Sequence, residues 1–313
     1  MGMVKSLKTG IKFKDTPVGK IPVDWEVLSL SQAAEINMGQ SPSSKDCHAY
    51  EEGLPFYQGN ADFGPKFPTV RKWCKKPLKI AQKGDILISV RAPVGEINIA
   101  PHECCIGRGL GAIRATNIIS DYLYQSMLFH RKALEKVSQG STFEAINRKE
   151  LSDFLIFDRP LPEQKKIAEI LTTVDDAIEE TDKIIEKTKE LKKGLMQRLL
   201  TKGIGHKKFK KTEIGEIPVE WKVVKLNEIA NVRYGLGQPP ELDNKGIAMI
   251  RATNIHQGEI SETGLISVKR DAIPASRIPF LKEGDIIVVR RGAYTGDIGL
   301  ITNEWEGAIA GYD

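Results

Sequence analysis

The chain has 313 residues, 41% of them hydrophobic and 28% charged, a composition that fits a folded globular protein and excludes a disordered one. No apolar run approaches the roughly 20 residues of a membrane-spanning helix, and the N-terminal residues lack the apolar stretch of a signal peptide. The formal net charge of +5 is compatible with nucleic acid as a partner but does not identify one. Four cysteines without a CxxC spacing, at positions 47, 74, 104 and 105, indicate a reducing cytoplasm.

The first predicted feature is an opening segment that the chain repeats. Residues 13–25 read FKDTPVGKIPVDW, and residues 209–221 read FKKTEIGEIPVEW. A basic stretch precedes each copy, and such stretches are typical either of solvated linkers or of positive charge placed near phosphates. Trp25 and Trp221 each follow an apolar Ile-Pro-Val, so we expect both rings to pack against protein rather than stack on bases.

Further landmarks recur later in each copy, in the same order. The matched pairs are GQSP (39–42) with GQPP (237–240), PFYQGNADFG (55–64) with MIRATNIHQG (249–258), and KGDILISVRAPVGEI (83–97) with EGDIIVVRRGAYTGDI (283–298). Landmarks shared in one order with small insertions between them indicate a duplicated domain. The repeated unit is far longer than a solenoid repeat, so the sequence predicts two domains rather than an array.

Each copy is predicted to be an α+β domain. The apolar runs GDILISV and GDIIVVR follow a Gly-Asp pair and are typical of buried strands. We interpret Asp85 and Asp285 as turn residues that fix the start of these strands. Residues 120–137 begin with Ser-Asp and carry apolar side chains at helical spacing, which predicts one amphipathic helix.

A long helix is predicted between the copies. Pro162 suits a first helical turn and Gly203 suits a helix end, so the helix should run from Glu163 to Thr201, over roughly 58 Å. Its apolar positions alternate by four and three, as in a coiled-coil seam. The seam consists of Ile167, Leu171, Val174, Ile178, Thr181, Ile185, Thr188, Lys192, Leu195 and Leu199, and it is widened by Ile170, Ala177, Ile184 and Leu191. We expect a partner to cover this seam, and we interpret Asp175–Asp176 and Glu179–Glu180 as charges facing water or that partner.

These elements predict a first domain at residues 1–158, a helical spacer at 159–204 and a second domain at 205–313. Two similar domains separated by a rigid helix could bind two separated sites on one extended partner. Candidate contacts to nucleic acid, the partner class that the net charge allows, lie in the loops, where Arg, Gln, Asn, Ser and Thr offer forked contacts to base edges and phosphates. The candidates are Gln40, Ser41, Ser43, Ser44, Gln58, Asn60, Arg91, Arg108, Ser141 and Thr142 in the first copy, and Gln238, Arg251, Asn254, Arg290 and Arg291 in the second. For any single one, a turn-forming role or a surface hydrogen bond is the alternative interpretation.

The motifs of a self-sufficient DNA enzyme are missing from the sequence. An adenine methyltransferase needs an Asn/Asp-Pro-Pro-aromatic step, and GQPPEL has the prolines without the Asn or the aromatic residue. The stretch GRGLGA leads into IRATN rather than into a helix start, and no GxxxxGK[ST] motif occurs. A metal-dependent nuclease built on Asp85 and Glu96 would need a Lys at the position of Asn98.

A zinc site is a further alternative. His102, Cys104 and Cys105 could act as ligands. The second copy has Gly307 and Ala308 opposite the two cysteines, so a metal shared by both copies is not expected. We therefore predict that the chain itself has no catalytic residue, no metal site and no cofactor.

Several stretches in combination resemble the specificity subunit of type I restriction-modification systems. They are IPVDW and IPVEW, GDILISVRAPVGEINI, GRGLGAIRA, STFEAINRKEL and LPEQKKIAEILTTVDDAI, and the resemblance covers essentially the whole chain. It implies two target-recognition domains, each followed by a helical spacer, with the two spacers packed antiparallel. It also implies that each domain binds one half of a bipartite site on double-stranded DNA, and that spacer length sets the gap.

The resemblance implies partner proteins and no catalysis by the chain itself. Two copies of a modification subunit would methylate adenine with S-adenosylmethionine, and an ATP-driven restriction subunit would join them. Relative to this plan the sequence stops at GAIAGYD, which aligns with CCIGRGL (104–110), so part of the second recognition domain and the second spacer would be missing. We then expect the seam to pair with a second copy of the chain or with the modification subunit.

Two other functions stay open on the sequence. One is a self-sufficient DNA methyltransferase or nuclease, which the missing motifs disfavour. The other is a helical dimer without a DNA function, which the loop composition of both copies disfavours.

Overall fold

The structure, a computed structural model, describes residues 12–17, 19–138, 145–237, 241–256, 258–273 and 280–311. The chain divides into two compact units, residues 1–194 and 195–313. Both units mix strands with helices, and one long helix is shared by the end of the first unit and the start of the second. This architecture confirms the predicted α+β class, with two duplicated domains and a spacer helix.

The first unit contains most of the secondary structure. Its strands are β1 (Phe13–Thr16), β2 (Gly19–Pro22), β3 (Glu26–Ser29), β4 (Ala34–Met38), β5 (Cys47–His48), β6 (Leu54–Tyr57), β7 (Trp73–Cys74), β8 (Ile80–Ala81), β9 (Ile86–Ser89), β10 (Ile97–Ile99), β11 (Cys104–Ile106), β12 (Leu110–Ala115) and β13 (Leu155–Asp158). Its helices are α1 (Leu30–Ala33), α2 (Ser120–Phe129), α3 (Arg131–Ser138), α4 (Arg148–Asp153) and α5 (Leu161–Lys202), with short 3-10 helices at Ser44–Asp46 and Asn60–Asp62.

Two sheets share the core of the first unit. One has the strand order β10-β9-β12-β4 with antiparallel neighbours, and the other has the order β5-β7-β6-β11-β8 with β11 parallel to β6. Strand β9 is buried on both faces, because Ile86 and Ile88 belong to the core cluster that includes residues of α2, while Leu87 packs in a second cluster. Burial on both faces explains why GDILISV is a continuous apolar run.

The segment 120–137 forms two helices, so the prediction of a single helix was wrong. The chain leaves helical geometry at His130, which has φ −87° and ψ 4° between α2 and α3. The His130 ring contacts the rings of Phe154 and Phe157, with centroids 5.9 Å and 5.3 Å away. The His130 ring thus packs against Phe154, just before β13, and against Phe157 within β13. This packing accounts for the break in a helix that the apolar spacing alone would continue.

The second unit begins with the last residues of α5 and repeats the start of the first. Its strands are β14 (Phe209–Thr212), β15 (Gly215–Pro218), β16 (Leu242–Ile250), β17 (Ile255–His256), β18 (Glu259–Ile260), β19 (Ile266–Val268), β20 (Ile286–Val288), β21 (Ile298–Leu300) and β22 (Ile309–Ala310). Its other helix is α6 (Leu226–Ile229), with short 3-10 helices at Ala252–Asn254, Arg270–Ala272 and Asn303–Trp305.

The opening hairpins of the two units have the same register, which confirms the duplication. Phe13 pairs with Pro22 in the first hairpin, and Phe209 pairs with Pro218 in the second. In each hairpin a threonine hydroxyl, of Thr16 or of Thr212, donates a 2.6 Å hydrogen bond to the carbonyl oxygen three residues later.

The structural alignment corrects three of the sequence matches: Gly237 with Gly39, Ala310 with Gly107, and Asn254 with Asn60, since Asn254 and Asp62 each cap a turn. The backbone N–H of Gln40 donates to the Ile106 carbonyl, and that of Leu236 donates to the Ala310 carbonyl, so Gly235 rather than Gly237 is the counterpart of Gly39. A Cβ on Gly39 would lie 2.2 Å from the Gly107 oxygen, and one on Gly235 would lie 1.9 Å from the Gly311 oxygen. Glycine is therefore needed at both positions. Because Gly107 approaches Gly39 as Gly311 approaches Gly235, Gly311 is the counterpart of Gly107. The sequence match had placed Ala310, one residue earlier, at that position.

Helix α5 extends the predicted helix, Glu163 to Thr201, by two residues at its start and by one at its end. It contains 42 residues and ends at Gly203, which has φ +63° and donates its N–H to the Leu199 carbonyl at 3.0 Å. At its start, Gln164 is 1% exposed, and its amide donates to Asp158 and to the Arg159 carbonyl and accepts from the Ile119 N–H. This buried amide joins the helix to the strand before it and to the start of α2.

Asp175 holds α5 to the first unit, so the interpretation of its charge as facing water or a partner was wrong, whereas Asp176 is 63% exposed, as that interpretation expected. The Asp175 carboxylate accepts a 2.6 Å hydrogen bond from the Gln125 amide, and Asp176 lies 3.5 Å from the Lys66 ammonium. Glu179 instead pairs with Lys183 one turn later on the same helix. None of the helices in the described part of the chain combines the length and the apolar character that a bilayer crossing requires.

The tryptophans of both opening segments contact protein groups, as predicted. The Arg159 guanidinium lies 3.9 Å from the centre of the Trp25 ring, and the Trp25 indole N–H donates to Glu163 at 3.0 Å. Trp221 meets the His206 ring edge-on at 6.0 Å.

Candidate nucleic-acid interface

Three loops of the first unit are joined along one edge of its sheets. They follow β4 and β6 and connect β11 to β12, and backbone hydrogen bonds tie them together. The Gly39 N–H donates to the Leu110 carbonyl at 2.8 Å, and the Gly109 N–H donates to the Gln58 carbonyl at 3.2 Å. The Ser41 hydroxyl accepts from the Arg108 N–H at 3.2 Å. This loop edge is therefore held by the backbone, and its exposed side chains project from a fixed frame.

The glycines of the stretch GRGLGA are explained by this close approach of loops. A Cβ on Gly107 would lie 3.0 Å from the Gln58 Cα, and a Cβ on Gly109 would lie 2.5 Å from the Gln58 carbonyl oxygen. The stretch continues into strand β12 rather than into a helix, so it lacks the helix N-terminus with which a dinucleotide-binding loop holds phosphate. Its glycines allow the turn of Arg108 to pack beside the loop of Gln58.

The loop edge carries five of the candidate residues: Gln40, Ser41, Gln58, Arg91 and Arg108. Arg91 joins them because Val90 donates its N–H to the Gly109 carbonyl at 2.9 Å. Four of the five are exposed and Ser41 is half-buried. Arginine and glutamine are the residues that make bidentate contacts to guanine and adenine, and arginine also contacts phosphate. The loop edge therefore presents the side-chain chemistry that duplex DNA requires.

The other candidates of the first unit lie beside the loop edge or outside the described residues. The Ser43 hydroxyl accepts from the Lys45 N–H and caps the 3-10 helix that begins at Ser44. Half-buried Asn60 begins the next 3-10 helix, two residues after Gln58. Ser141 and Thr142 fall outside the described residues, although Ala145, just beyond them, bridges to Arg91.

In the second unit the candidate residues differ in accessibility. Asn254 is buried, and its amide bonds the Arg251 N–H and the carbonyls of Ser261 and Thr263. Asn254 caps a turn in the same way as Asp62 does in the first unit. The Asp62 carboxylate accepts a hydrogen bond from the Gln58 N–H at 2.8 Å. We leave Asn254 out of the proposed interface, because all of its polar groups are occupied inside the protein.

The remaining candidates of the second unit are at least partly exposed. The Arg251 guanidinium donates to the Gly264 carbonyl at 2.6 Å, and that of Arg290 lies 5.2 Å from the centre of the Tyr234 ring. Arg291 is exposed. Gln238 lies outside the described residues.

Asp85 is a structural residue, as predicted for the turn before β9. Its carboxylate is 3% exposed and accepts from the Gln82 N–H and from both Nε and Nη2 of Arg114, all at 2.8 Å. Asp285 repeats the turn by accepting from the Lys282 N–H at 3.0 Å, and it pairs with Arg233 at 3.5 Å. The sequence analysis missed Arg114, although an arginine inside the otherwise small and apolar strand LGAIRA was a signal.

The residues of the zinc alternative do not converge. Cys104 and Cys105 face opposite sides of β11, because Cys104 packs with Tyr57 and Cys105 packs with Cys74. Burial raises the pKa of both thiols to about 12. The His102 ring bonds the Tyr57 hydroxyl at 3.1 Å. In the described ranges, no group of three or more His, Cys, Asp or Glu side chains is arranged to hold a metal ion.

The apolar seam of α5 is covered only near its start. Ile167 packs against the core of the first unit beside buried Ala168. The seam residues beyond it are between 40% and 56% exposed: Leu171, Val174, Ile178, Ile185, Leu195 and Leu199. The hydroxyls of Thr181 and Thr188 donate to the carbonyls four residues earlier, so these two polar positions of the seam are satisfied within the helix.

Comparison with known proteins identifies the family. A model described as "Type I restriction modification DNA specificity domain" matches residues 22–190, which is more than half of the chain. The chain belongs to this family. The match confirms the resemblance found in the sequence, and it spans the loop edge and most of α5.

Relatives within the specificity-domain family extend the similarity to both units. The putative type I restriction enzyme MjaX specificity subunit of Methanocaldococcus jannaschii is 42% identical over 209 residues, which are 64% of this chain and 49% of that protein. The matched region thus spans about half the length of that relative. The MjaVIII specificity subunit of the same organism is 28% identical over 306 residues, which are 95% of this chain and 71% of that protein.

One solved structure shows the same fold across the chain. It is the type I restriction-modification S subunit from M. genitalium, which aligns with a TM-score of 0.51 and 15% identity over 98% of this chain and 72% of that one. At this identity the similarity concerns the fold alone.

Proposed function

We propose that the chain is the DNA sequence-specificity subunit of a type I restriction-modification complex. In this proposal each recognition domain binds one half of a bipartite target on double-stranded DNA, and the chain itself catalyses no reaction. The observation that carries the proposal is the loop edge, where Gln40, Gln58, Arg91 and Arg108 converge in a member of the specificity-domain family. The domain plan is the one predicted from the sequence, with α5 as the spacer between residues 1–158 and 205–313.

The construction of the loop edge supports sequence reading. Specificity requires that a side chain contacting a base edge is held in position. A side chain held in this way cannot move to pair with the wrong base, so its own polar groups are then left without hydrogen bonds. The turn of Arg108 is fixed by three glycines and by the Ser41 hydroxyl, and Gln58 is fixed through its own carbonyl and N–H. Further candidates for contacts to bases or phosphates are Ser43, Ser44 and Asn60 beside the loop edge, Arg251, Arg290 and Arg291 of the second unit, and Ser141, Thr142 and Gln238, which lie outside the described residues.

The partners in this proposal carry the chemistry. Two copies of the modification subunit would transfer methyl groups from S-adenosylmethionine, and an ATP-driven restriction subunit would join them on DNA in the cytoplasm. The exposed seam of α5 supports the protein contact, because so many half-exposed aliphatic side chains along one helix are stable in water only when a partner covers them. We propose the modification subunit or a second copy of the chain as that partner.

A DNA-binding measurement across a salt series tests the loop edge. Replacing Arg108 with Ala should weaken binding to a cognate duplex by about 1–3 kcal/mol if the guanidinium reads a base. If Arg108 contacts only phosphate, the loss should be the same for all sequences, and the slope of log K against log salt should decrease by about 1. The matched control is Arg198→Ala on α5, which removes the same charge at a residue that is not part of the loop edge.

The proposal is wrong if binding by the wild-type chain does not weaken as salt rises, or if R108A and R198A bind DNA as the wild type does. A second assay addresses catalysis. The purified chain, incubated with DNA and labelled S-adenosylmethionine, should transfer no methyl group. Robust methylation would favour the self-sufficient enzyme instead.

A further inference from the structure

Three of the four cysteines of the chain meet in one sheet of the first unit. Cys47 lies on β5, Cys74 lies on the neighbouring strand β7, and Cys105 lies on β11. Their side chains form a small cluster with Phe56, whereas Cys104 belongs to a different cluster. All four are free thiols. The proposed DNA-binding function gives the three clustered thiols no role.

The hydrogen bonds between β5 and β7 show how close Cys47 and Cys74 lie. The two residues are directly opposite each other in an antiparallel strand pair. Next to them, the Lys75 N–H donates to the Asp46 carbonyl at 3.0 Å, which makes Asp46 and Lys75 a hydrogen-bonded residue pair. Hydrogen-bonded and non-hydrogen-bonded residue pairs alternate along antiparallel strands, so Cys47 and Cys74 are a non-hydrogen-bonded pair.

This placement meets the geometric requirement of a disulfide. In a non-hydrogen-bonded pair the two Cα atoms are about 4.5 Å apart, and the side chains are closer to each other than in a hydrogen-bonded pair. A disulfide spans Cα atoms that are about 4.4–6.8 Å apart. Cys47 and Cys74 can therefore be joined without a rearrangement of β5 and β7.

The clustered thiols differ in accessibility, which assigns a different role to each. Cys47 is half-buried on β5, an edge strand of its sheet. Cys74 and Cys105 are 0% exposed. A dissolved reagent can therefore reach Cys47 in the folded chain, whereas Cys74 can react only with a sulfur that Cys47 presents to it.

We propose that Cys47 and Cys74 are a redox modification site, which a low-molecular-weight disulfide closes into a cross-strand disulfide bond. The Cys47 thiol loses its proton and attacks one sulfur of the reagent, whose S–S bond breaks and releases one thiolate. The Cys74 thiol then loses its proton and attacks the Cys47 sulfur, which releases the second thiolate of the reagent. The two thiolates take up the two protons. Two protein thiols are thus oxidised to one disulfide, and the reagent is reduced to two thiols.

The surroundings of Cys47 make this reaction slow. Burial, and then the neighbouring Cys74 thiol, raise the pKa of Cys47 above its ordinary value of 9.0. Few Cys47 thiols are ionised at neutral pH, and the thiolate is the reactive form. The pair therefore stays reduced in reducing surroundings, and we expect it to close over hours when a disulfide reagent accumulates.

The disulfide would tie a short edge strand to the sheet. Strand β5 has two residues and directly follows the 3-10 helix Ser44–Asp46, which Ser43 caps. Local opening of such an edge exposes its amides to hydrogen exchange. Closing the disulfide should therefore slow the exchange of the Lys75 amide, which bonds to Asp46, and restrain the segment that carries Ser43 and Ser44.

Incubation of the folded full chain with oxidised glutathione tests this inference. Peptide mapping after an acid quench should find a disulfide between the peptides that contain Cys47 and Cys74, with the other two of the four thiols still free. Dithiothreitol should restore the reduced pair. In the oxidised chain the Lys75 amide should exchange at least tenfold more slowly, and exchange in residues 86–88 should be unchanged.

Three variants test the order of the two steps. Cys74→Ser should stop the reaction at a mixed disulfide between Cys47 and glutathione, because the second thiol is missing. Cys47→Ser should leave the other thiols unreacted, because they are buried. Cys104→Ser is the matched control, since it removes a buried thiol outside the cluster, and the Cys47–Cys74 disulfide should form in it at the wild-type rate.

Three results with the wild-type chain would overturn the inference, and none of them depends on the folding of a variant. They are the absence of any reaction of Cys47, a disulfide that includes Cys105 in place of Cys47, and a Cys47–Cys74 disulfide that forms only after the chain is unfolded in urea. A mixed disulfide on Cys47 that persists in the wild type would also contradict the placement of Cys74 beside it.

Discussion

At the scale of single residues, the pair of Asp85 and Arg114 is the charged contact on which the first unit depends. The Asp85 carboxylate is buried, and the forked contact from Arg114 is the charge that balances it. The same pair joins the turn before β9 to the next strand of the sheet, β12. A bidentate pair of this kind fixes geometry as well as supplying energy.

Replacing Arg114 with Ala should lower the free energy of unfolding by about 3 kcal/mol, because it leaves a buried carboxylate without its partner. Urea unfolding of the wild-type and variant chains measures the change. Lys83→Ala removes an exposed charge in the same Gln82–Asp85 turn; it is the control and should change the value by less than about 0.5 kcal/mol. A similarly small effect of R114A would show that the pair is not structural.

His130 should make the stability of the first unit depend on pH. Burial, and secondarily the charge of Arg159, hold the pKa of His130 below its ordinary value of 6.5. The unfolded chain then binds a proton that the folded chain does not, so the free energy of unfolding is full above about pH 6.5 and falls as the pH drops below it. Thermal unfolding between pH 5 and pH 8 measures the trend.

The chain has four other histidines, so the informative quantity is the difference between the wild type and His130→Gln. The variant should lose less stability between pH 7 and pH 5 than the wild type loses. Identical pH profiles would contradict the burial of a neutral imidazole at this position.

At the scale of elements, α5 offers a matched pair of glycines. Gly194 lies inside the helix with open space where a Cβ would be, whereas Gly203 has φ +63° and a Cβ there would lie 2.6 Å from the His206 ring. Gly194→Ala should stabilise the helix by about 1 kcal/mol, and Gly203→Ala should destabilise its end by about as much. Circular dichroism at 222 nm during thermal unfolding reports both. Effects of the same sign would contradict the helix end at Gly203.

The same scale shows what the sequence could predict. The bounds of α5 and the strands after Gly-Asp were predictable, because periodicity, Pro162 and Gly203 are local signals. The break at His130 was not, because it depends on Phe154 and Phe157, which lie more than twenty residues later in the chain. The match of GQSP to GQPP failed because the need for glycine at Gly235 arises from a carbonyl that approaches from a distant strand.

The candidate site was likewise predictable only where the signal is local in the sequence. The residue types and the loops were predictable, but their convergence was not, because hydrogen bonds between distant loops place Arg108 beside Ser41 and Gln58. Asn254 was chosen as a surface residue by its type, and the fold uses it to cap a buried turn.

At the scale of the whole molecule, a non-catalytic chain in this family would decide where other subunits act. In the proposed function the two recognition domains would supply the DNA contacts, and the seam of α5 would supply a surface for a protein partner. Substitutions on the loop edge should therefore change the DNA target, whereas substitutions on the seam should change assembly without changing the target.

The most direct test is to co-express the chain with its modification subunit in a host without other adenine methylation and to sequence the methylated sites. The account predicts methyladenine within one bipartite sequence, and it predicts that a chain with Gln58→Ala and Arg108→Ala relaxes or loses that sequence while still binding the modification subunit. Methylation that is absent, that has no sequence preference, or that keeps the same target in the variant would contradict the account.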